Sequence, residues 1–308
     1  MENHWIKCWD EIKMKSYIYA MLAVVLWATI SPFSKLMLNA LPEEEFLFLT
    51  MLIATITLFV INIVTKKILV LKTYHIKDYL ILFGLGALGI YLYILTYNMG
   101  IARLKASDAC IINYLWPIMI IIFSVPVLHE KMTLRKLVAC LISFLGIVVV
   151  VTKFDFANLE FESLPGVVCC LIAAVSYGLF SALNKKINYD QCVAMMLFYF
   201  CATVLSGIQF LFSGQEYVPL MTMKNYFLMA WIGIMSNALG YLFWNMAIVK
   251  GDTSKISNLA YICPFLTLLF SALVLKEKIS AYTIIGLLMI IGGIFLQLKE
   301  NAIERKRP

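Results

Sequence analysis

Apolar stretches about twenty residues long, the length a helix needs to cross hydrocarbon, succeed one another along almost the whole chain, and charge gathers between them. The pattern predicts ten helical spans, at approximately 17–38, 46–64, 79–101, 107–128 and 134–151, then 164–183, 192–212, 226–249, 254–275 and 282–298. The expected fold class is therefore an all-α integral membrane protein. Residues 1–16 precede the first span; Trp5, Trp9 and Ile12 share one helical face there, with Lys7, Lys13 and Lys15 available to headgroups, so a short interfacial helix is expected. No small-residue cleavage site follows a short apolar core, and a removable signal peptide is not expected. Residues 299–308 read as a basic tail.

Polar and helix-bending residues break the apolar pattern most sharply at Asn113-Tyr114-Leu115-Trp116-Pro117, inside the fourth span. A proline within a spanning helix frees the carbonyl one turn back, which lipid tolerates only where protein or a cavity satisfies it. The same device returns 147 residues on as Ala260-Tyr261-Ile262-Cys263-Pro264. At that offset Asn98 meets Asn245, Met99 meets Met246, Ser124 meets Ser271, Glu130 meets Glu277, Lys131 meets Lys278 and Gly146 meets Gly293. The first spans align at an offset of 150, where Trp27 meets Tyr177, Ser31 meets Ser181 and Lys35 meets Lys185. Two halves of five spans follow, 17–151 and 164–298, and because five is odd they enter the membrane from opposite sides as inverted repeats.

Composition removes the soluble alternatives: 62% of the 308 residues are hydrophobic, 14% are charged and the mean hydropathy is +0.89. The net charge of +7 does not read as nucleic-acid binding, since its basic residues sit at span ends. Of the 25 Lys and Arg, 18 lie on the side of the amino terminus and 7 opposite, which predicts a plasma-membrane protein with both termini cytoplasmic. The eight cysteines lack paired metal spacing, and His4, His75 and His129 all lie outside the spans, so neither a metal centre nor another cofactor is expected. Gly84, Gly86 and Gly89 spell a dinucleotide fingerprint without its flanking strand and read instead as helix-packing positions, as do Gly286 and Gly293. No carboxylate cluster or nucleophile–base pair suggests an enzyme. Asp108, Asp190 and Asp252 stand at span ends, where capping is the default and ion coupling the alternative. Lys35 either snorkels to the interface or meets a carboxylate.

What remains at mid-membrane depth is aromatic and amide-bearing: Trp27, Ser31, Asn98, Asn113, Tyr114 and Trp116, then Tyr177, Ser181, Asn237, Trp244, Asn245, Asn258 and Tyr261. An unbonded amide in hydrocarbon costs several kcal/mol, so the asparagines turn inward. Asn98 and Asn245 serve either as an interhelical clasp or as pocket lining, and each aromatic residue either packs or contacts a ligand.

The sequence INYLWPIMIIIFS from Ile112, with LWATISPFSK from Leu26, YLFWNMAIVKGD from Tyr241, the repeated span prolines and the loops His129-Glu130-Lys131 and Lys276-Glu277-Lys278, resembles the drug/metabolite transporter superfamily, EamA type, and within it the aromatic amino-acid exporter branch. His129 stands where that family commonly has glycine, and Cys263 where it usually has a residue such as threonine. The resemblance implies ten helices in two inverted repeats around a central cavity. It makes Trp27, Asn98, Asn113, Trp116, Tyr177, Trp244 and Tyr261 substrate-binding candidates and Pro117 and Pro264 hinges. The implied activity is export of amino acids, aromatic or similar, or related small metabolites; a monomer is expected, since ten helices with an internal pair of repeats can enclose a cavity unaided. Other flat or cationic metabolites such as nucleobases or drugs, and a non-transporting receptor or scaffold, stay open as alternatives.

Overall fold

The computed structural model describes residues 2–129, 132–153, 163–219, 222–250 and 259–304, with backbone alone at 2–14, 135–136, 245, 248–250, 294 and 297–304. The expectations for Glu130, Lys131, Asp252 and Asn258, and for the side chains of Asn245, Trp5 and Trp9, lie outside what is described. Among the described residues there is no strand. Seven helices are long and apolar enough to cross a membrane: Lys15–Leu38, Glu43–Val64, Ile76–Arg103, Ala106–Leu128, Leu164–Lys186, Gln191–Phe212 and Met223–Trp244. Three shorter apolar helices, Leu137–Thr152, Ala260–Val274 and Ala281–Gly293, accompany them. The chain is a multi-pass helical membrane protein.

Several spans are broken rather than continuous, and Pro32, Pro117 and Pro264 each stand at a break. Helix α1 (Glu2–Ala28) stops at Thr29 and α2 (Ile30–Leu38) begins, because Pro32 in its first turn has no N–H to give the carbonyl of Ala28. Helix α3 (Glu43–Val64) is followed by a 3₁₀ turn, Lys67–Thr73. The next span runs as α4 (Ile76–Gly86), a π-helical segment (Ala87–Leu92) and α5 (Tyr93–Arg103). Helix α6 (Ala106–Asn113) hands over to α7 (Trp116–Leu128) at Pro117, and α8 (Leu134–Thr152), α9 (Leu164–Lys186) and α10 (Gln191–Phe212) are unbroken. A second π-helical segment, Trp231–Leu239, separates α11 (Met223–Ala230) from α12 (Gly240–Lys250). A 3₁₀ turn, Ala260–Ile262, leads into α13 (Cys263–Val274), and α14 (Ala281–Glu304) closes the chain.

The helices gather into two compact units that do not follow the sequence halves: one takes residues 1–74 and 190–270, the other 75–189 and 271–308. In the first unit α3 packs on α10 and α1 on α12; in the second α8 packs on α14, and α5 and α7 on α9. Small residues permit the closest approaches. At Gly146 an added Cβ would lie 2.7 Å from the Gly286 carbonyl, and at Gly293 it would lie 2.6 Å from that of Ala139, so α8 and α14 meet backbone to backbone. Gly84 meets nothing within 4 Å, and packing does not explain it.

Polar clamps hold the span ends. In the first unit Lys67 Nζ donates to both carboxylate oxygens of Asp190, at 3.2 and 2.9 Å, while Asp190 Oδ1 accepts from the amides of Cys192 and Val193 and caps α10. Burial pushes the Lys67 ammonium down, but hydrogen bonds to Asp190 and Cys192 hold it above 10.5. Burial likewise pushes the Asp190 carboxyl up, and the bonds from Lys67 and Val193 carry it below 3.8. Glu45 is fully buried, with Oε2 accepting from the Val218 amide at 2.9 Å. In the second unit Asp78 accepts from the His75 amide at 2.7 Å and from the Tyr189 hydroxyl at 2.7 Å. Glu277 caps α6 by accepting from the amides of Ala106 and Ser107 and the Ser107 hydroxyl. Asp108, expected as a solvated cap, lies within the first turn of α6 and is buried, with Oδ1 accepting from Thr283 Oγ1 at 2.9 Å.

Candidate functional site

Each unit carries its own mid-span aromatic cluster beside a broken helix. In the first unit the break at Thr29 leaves the Leu26 carbonyl accepting from the Thr29 amide, from Thr29 Oγ1 at 2.6 Å and from Ser236 Oγ at 3.1 Å. Trp231 Nε1 donates to Thr29 Oγ1 at 2.9 Å, so an indole and two buried hydroxyls satisfy what the interrupted helix cannot. Beside this network the Trp27 ring lies 5.1 Å from that of Tyr241 and 5.3 Å from that of Trp244. Trp244 also rests on Ala20 and Ala247. The Trp27 Nε1–H is buried with no acceptor among the described residues. Gly240 makes room for it: a Cβ there would lie 2.8 Å from Nε1. Tyr261 is half-buried in the 3₁₀ turn before Pro264, which packs on α1.

The second unit builds its cluster around the turn between α6 and α7. Pro117 cannot bond back to Asn113, so the chain tightens, with the Tyr114 amide shared between the carbonyls of Cys110 and Ile111 and the Leu115 amide on that of Ile112. Asn113 is buried, and its Nδ2 donates to Tyr93 Oη at 3.1 Å. The Tyr93 and Tyr177 rings lie 4.8 Å apart, and Trp116 stands at 85° to Tyr177 with 5.4 Å between centroids. Tyr97 stacks on Tyr93 at 6.0 Å. Asn113 Oδ1 and Asn98 Nδ2 are buried with no partner among the described residues. Ser176 on α9 donates to the Leu88 carbonyl inside the π-helical segment, the counterpart of the Ser236 bond to Leu26.

Of the expected residues, the fold thus brings Trp27 and Trp244 together in one unit, and Asn113, Trp116 and Tyr177 in the other, with Asn98 buried on α5. Repeat matching missed Tyr93 and Tyr241, because the two clusters are not copies: at the 147 offset Tyr93 corresponds to Gly240 and Tyr97 to Trp244. Where the second unit sets tyrosine against Tyr177, the first sets glycine against the larger Trp27. The π-helical segments were equally invisible, since a helix widened by one residue keeps an apolar pattern. Among the described residues, no three His, Cys, Asp or Glu side chains converge to hold a metal.

Comparison with known proteins supplies an independent view. The sequence profile of the EamA-like transporter family matches twice, at residues 14–152 and 164–298. The chain is 27% identical over 277 residues to the uncharacterized transporter YoaV of Bacillus subtilis (strain 168), covering 88% of this chain and 92% of that protein. It is 26% identical over 292 residues to an uncharacterized transporter of Archaeoglobus fulgidus, covering 94% and 100%. A solved crystal structure superposes with a TM-score of 0.67 at 19% identity, covering 96% of this chain and all of that one, a likeness of fold.

Proposed function

Since the chain belongs to the EamA-like transporter family and crosses the membrane several times, we propose that it exports amino acids, aromatic or similar, or related small metabolites from the cytoplasm by alternating access. In this reading it is a monomer of ten spans in two inverted repeats, in the plasma membrane with both termini cytoplasmic. Trp27, Asn98, Asn113, Trp116, Tyr177, Trp244 and Tyr261 contact substrate, and the helices bend at Pro117 and Pro264.

The observation that carries the reading is the pair of mid-span clusters, each of half-buried rings beside an interrupted helix and each holding a buried polar atom that no described residue satisfies. A buried orphan in hydrocarbon costs about 1–3 kcal/mol, which a scaffold would be better without and a passing ligand would relieve. Ring faces offer stacking to an aromatic side chain. Proteoliposomes loaded with labelled phenylalanine and tryptophan are expected to show saturable efflux. Asn113→Ala and Trp116→Ala are each expected to lower it about tenfold while the protein still reaches the membrane. Unchanged rates in both variants would exclude the two residues from the site, and flux no higher than that of empty vesicles would end the amino-acid reading.

A further inference from the structure

We infer that the corner formed by Tyr93, Trp116 and Tyr177, closed by the carbonyl oxygen of Asn113, binds an ammonium group, so that this unit reads the substrate's protonated amine rather than its carboxylate. The inference rests on the proposal above that these residues face the transported molecule.

Asn113 has two polar ends, and the protein uses one. Its Nδ2 is committed to Tyr93 Oη at 3.1 Å, which leaves Oδ1, buried and without a donor among the described residues, as the end still open. An amide oxygen accepts and cannot donate, so whatever completes it brings a hydrogen. The rings of Tyr93, Trp116 and Tyr177 are half-buried and meet at angles: Trp116 stands at 85° to Tyr177 with 5.4 Å between centroids, and Tyr93 at 40° to Tyr177 with 4.8 Å. Aromatic faces carry the negative part of the ring quadrupole and attract a cation within about 6 Å of the centroid. A carboxylate entering the same corner would meet an acceptor oxygen and negative faces together. The side chains that define the corner, Tyr93, Asn113, Trp116 and Tyr177, carry no formal charge, and Asp108, the carboxylate nearest in sequence, lies five positions back along α6 and accepts from Thr283. Recognition by quadrupole and dipole holds an amine without a fixed counter-ion, which suits a carrier that must also let go.

Two analogues of phenylalanine separate the groups on the unaltered full-length protein: phenethylamine keeps ring and amine, and 3-phenylpropionate keeps ring and carboxylate. In proteoliposomes phenethylamine is expected to inhibit labelled phenylalanine flux within about tenfold of unlabelled phenylalanine, and phenylpropionate at least about tenfold more weakly than phenethylamine. In detergent, phenethylamine is expected to raise the melting temperature of the wild-type chain, and Asn113→Leu or Trp116→Leu to weaken that protection about tenfold in concentration. Phenylpropionate competing as well as phenethylamine, or both variants responding like wild type, would overturn the ammonium site. Protection by phenethylamine that the variants lose, without any saturable phenylalanine flux, would support the site and remove the amino-acid reading. Phenylalanine flux with phenylpropionate as the stronger competitor would do the reverse.

Discussion

Gly240 shows how much a single missing side chain can position. Trp27 turns its indole nitrogen toward the α12 backbone, where a Cβ at residue 240 would lie 2.8 Å from Nε1 and 3.1 Å from the neighbouring ring carbon. Gly240→Ala must therefore displace the ring or the helix, and overpacking of this kind costs about 1–3 kcal/mol. The expected outcome is a lower melting temperature, a shifted tryptophan emission and a raised KM for the transported substrate, because Trp27 leaves its place against Tyr241 and Trp244. Unchanged emission and KM would remove Gly240 as the residue that positions Trp27. His129 is instructive at the same scale: it adopts φ 56° at the end of α7, and Lys276 adopts the same φ at the matching place after α13. Glycine enters that left-handed conformation without strain, which gives a physical reason for the family's preference at the position His129 fills.

At the scale of elements, the clamp between the 3₁₀ turn at Lys67–Thr73 and the start of α10 gives a pH signature. Asp190 titrates below 3.8 in the folded chain, so its contribution is complete above 3.8 and is lost as pH falls through that lowered value. Lys67 titrates above 10.5, so its contribution is complete below 10.5 and is lost as pH rises through that raised value. Both act together between 3.8 and 10.5. The pair is 39% and 29% exposed, and solvent screening limits it to at most about 1 kcal/mol. Asp190→Asn is expected to melt lower than wild type throughout that window, and the gap to narrow as pH falls below it. A gap that stays constant into acid would mean that the side chain matters as a cap alone. The broken spans belong to this scale as well. Pro32, Pro117 and Pro264 announce interruptions in the sequence, whereas the π-helical segments at 87–92 and 231–239 carry no such mark; Ser176 on α9 donates into the first, and Ser236 within the second donates out to Leu26 on α1.

At the scale of the molecule, the compact units cut across the sequence halves. Residues 1–74 fold with 190–270, and 75–189 with 271–308, so α3 finds its main partner in α10, and α8 in α14, on the far side of the 154–162 connection. Fragments 1–153 and 163–308 each lack helices from both units. Expressed alone, each is expected to be degraded or protease-sensitive, and co-expression is expected to restore a protein that resists proteolysis in the membrane. A fragment that stands alone would show that the pairings between halves are dispensable.

The amino-acid pattern alone determined that the chain lives in a membrane as helices, because apolar runs of spanning length leave no other way to satisfy the backbone. It also determined where the helices at Pro117 and Pro264 break, since a missing N–H is a local fact. Periodicity carries no information about which distant helix fills a given face in a solvent as apolar as the side chains themselves. Only the tertiary structure decided that Tyr93 joins Tyr177, that Gly240 leaves room for the indole nitrogen of Trp27, that Glu277 caps α6, and that each compact unit is woven from both halves of the chain.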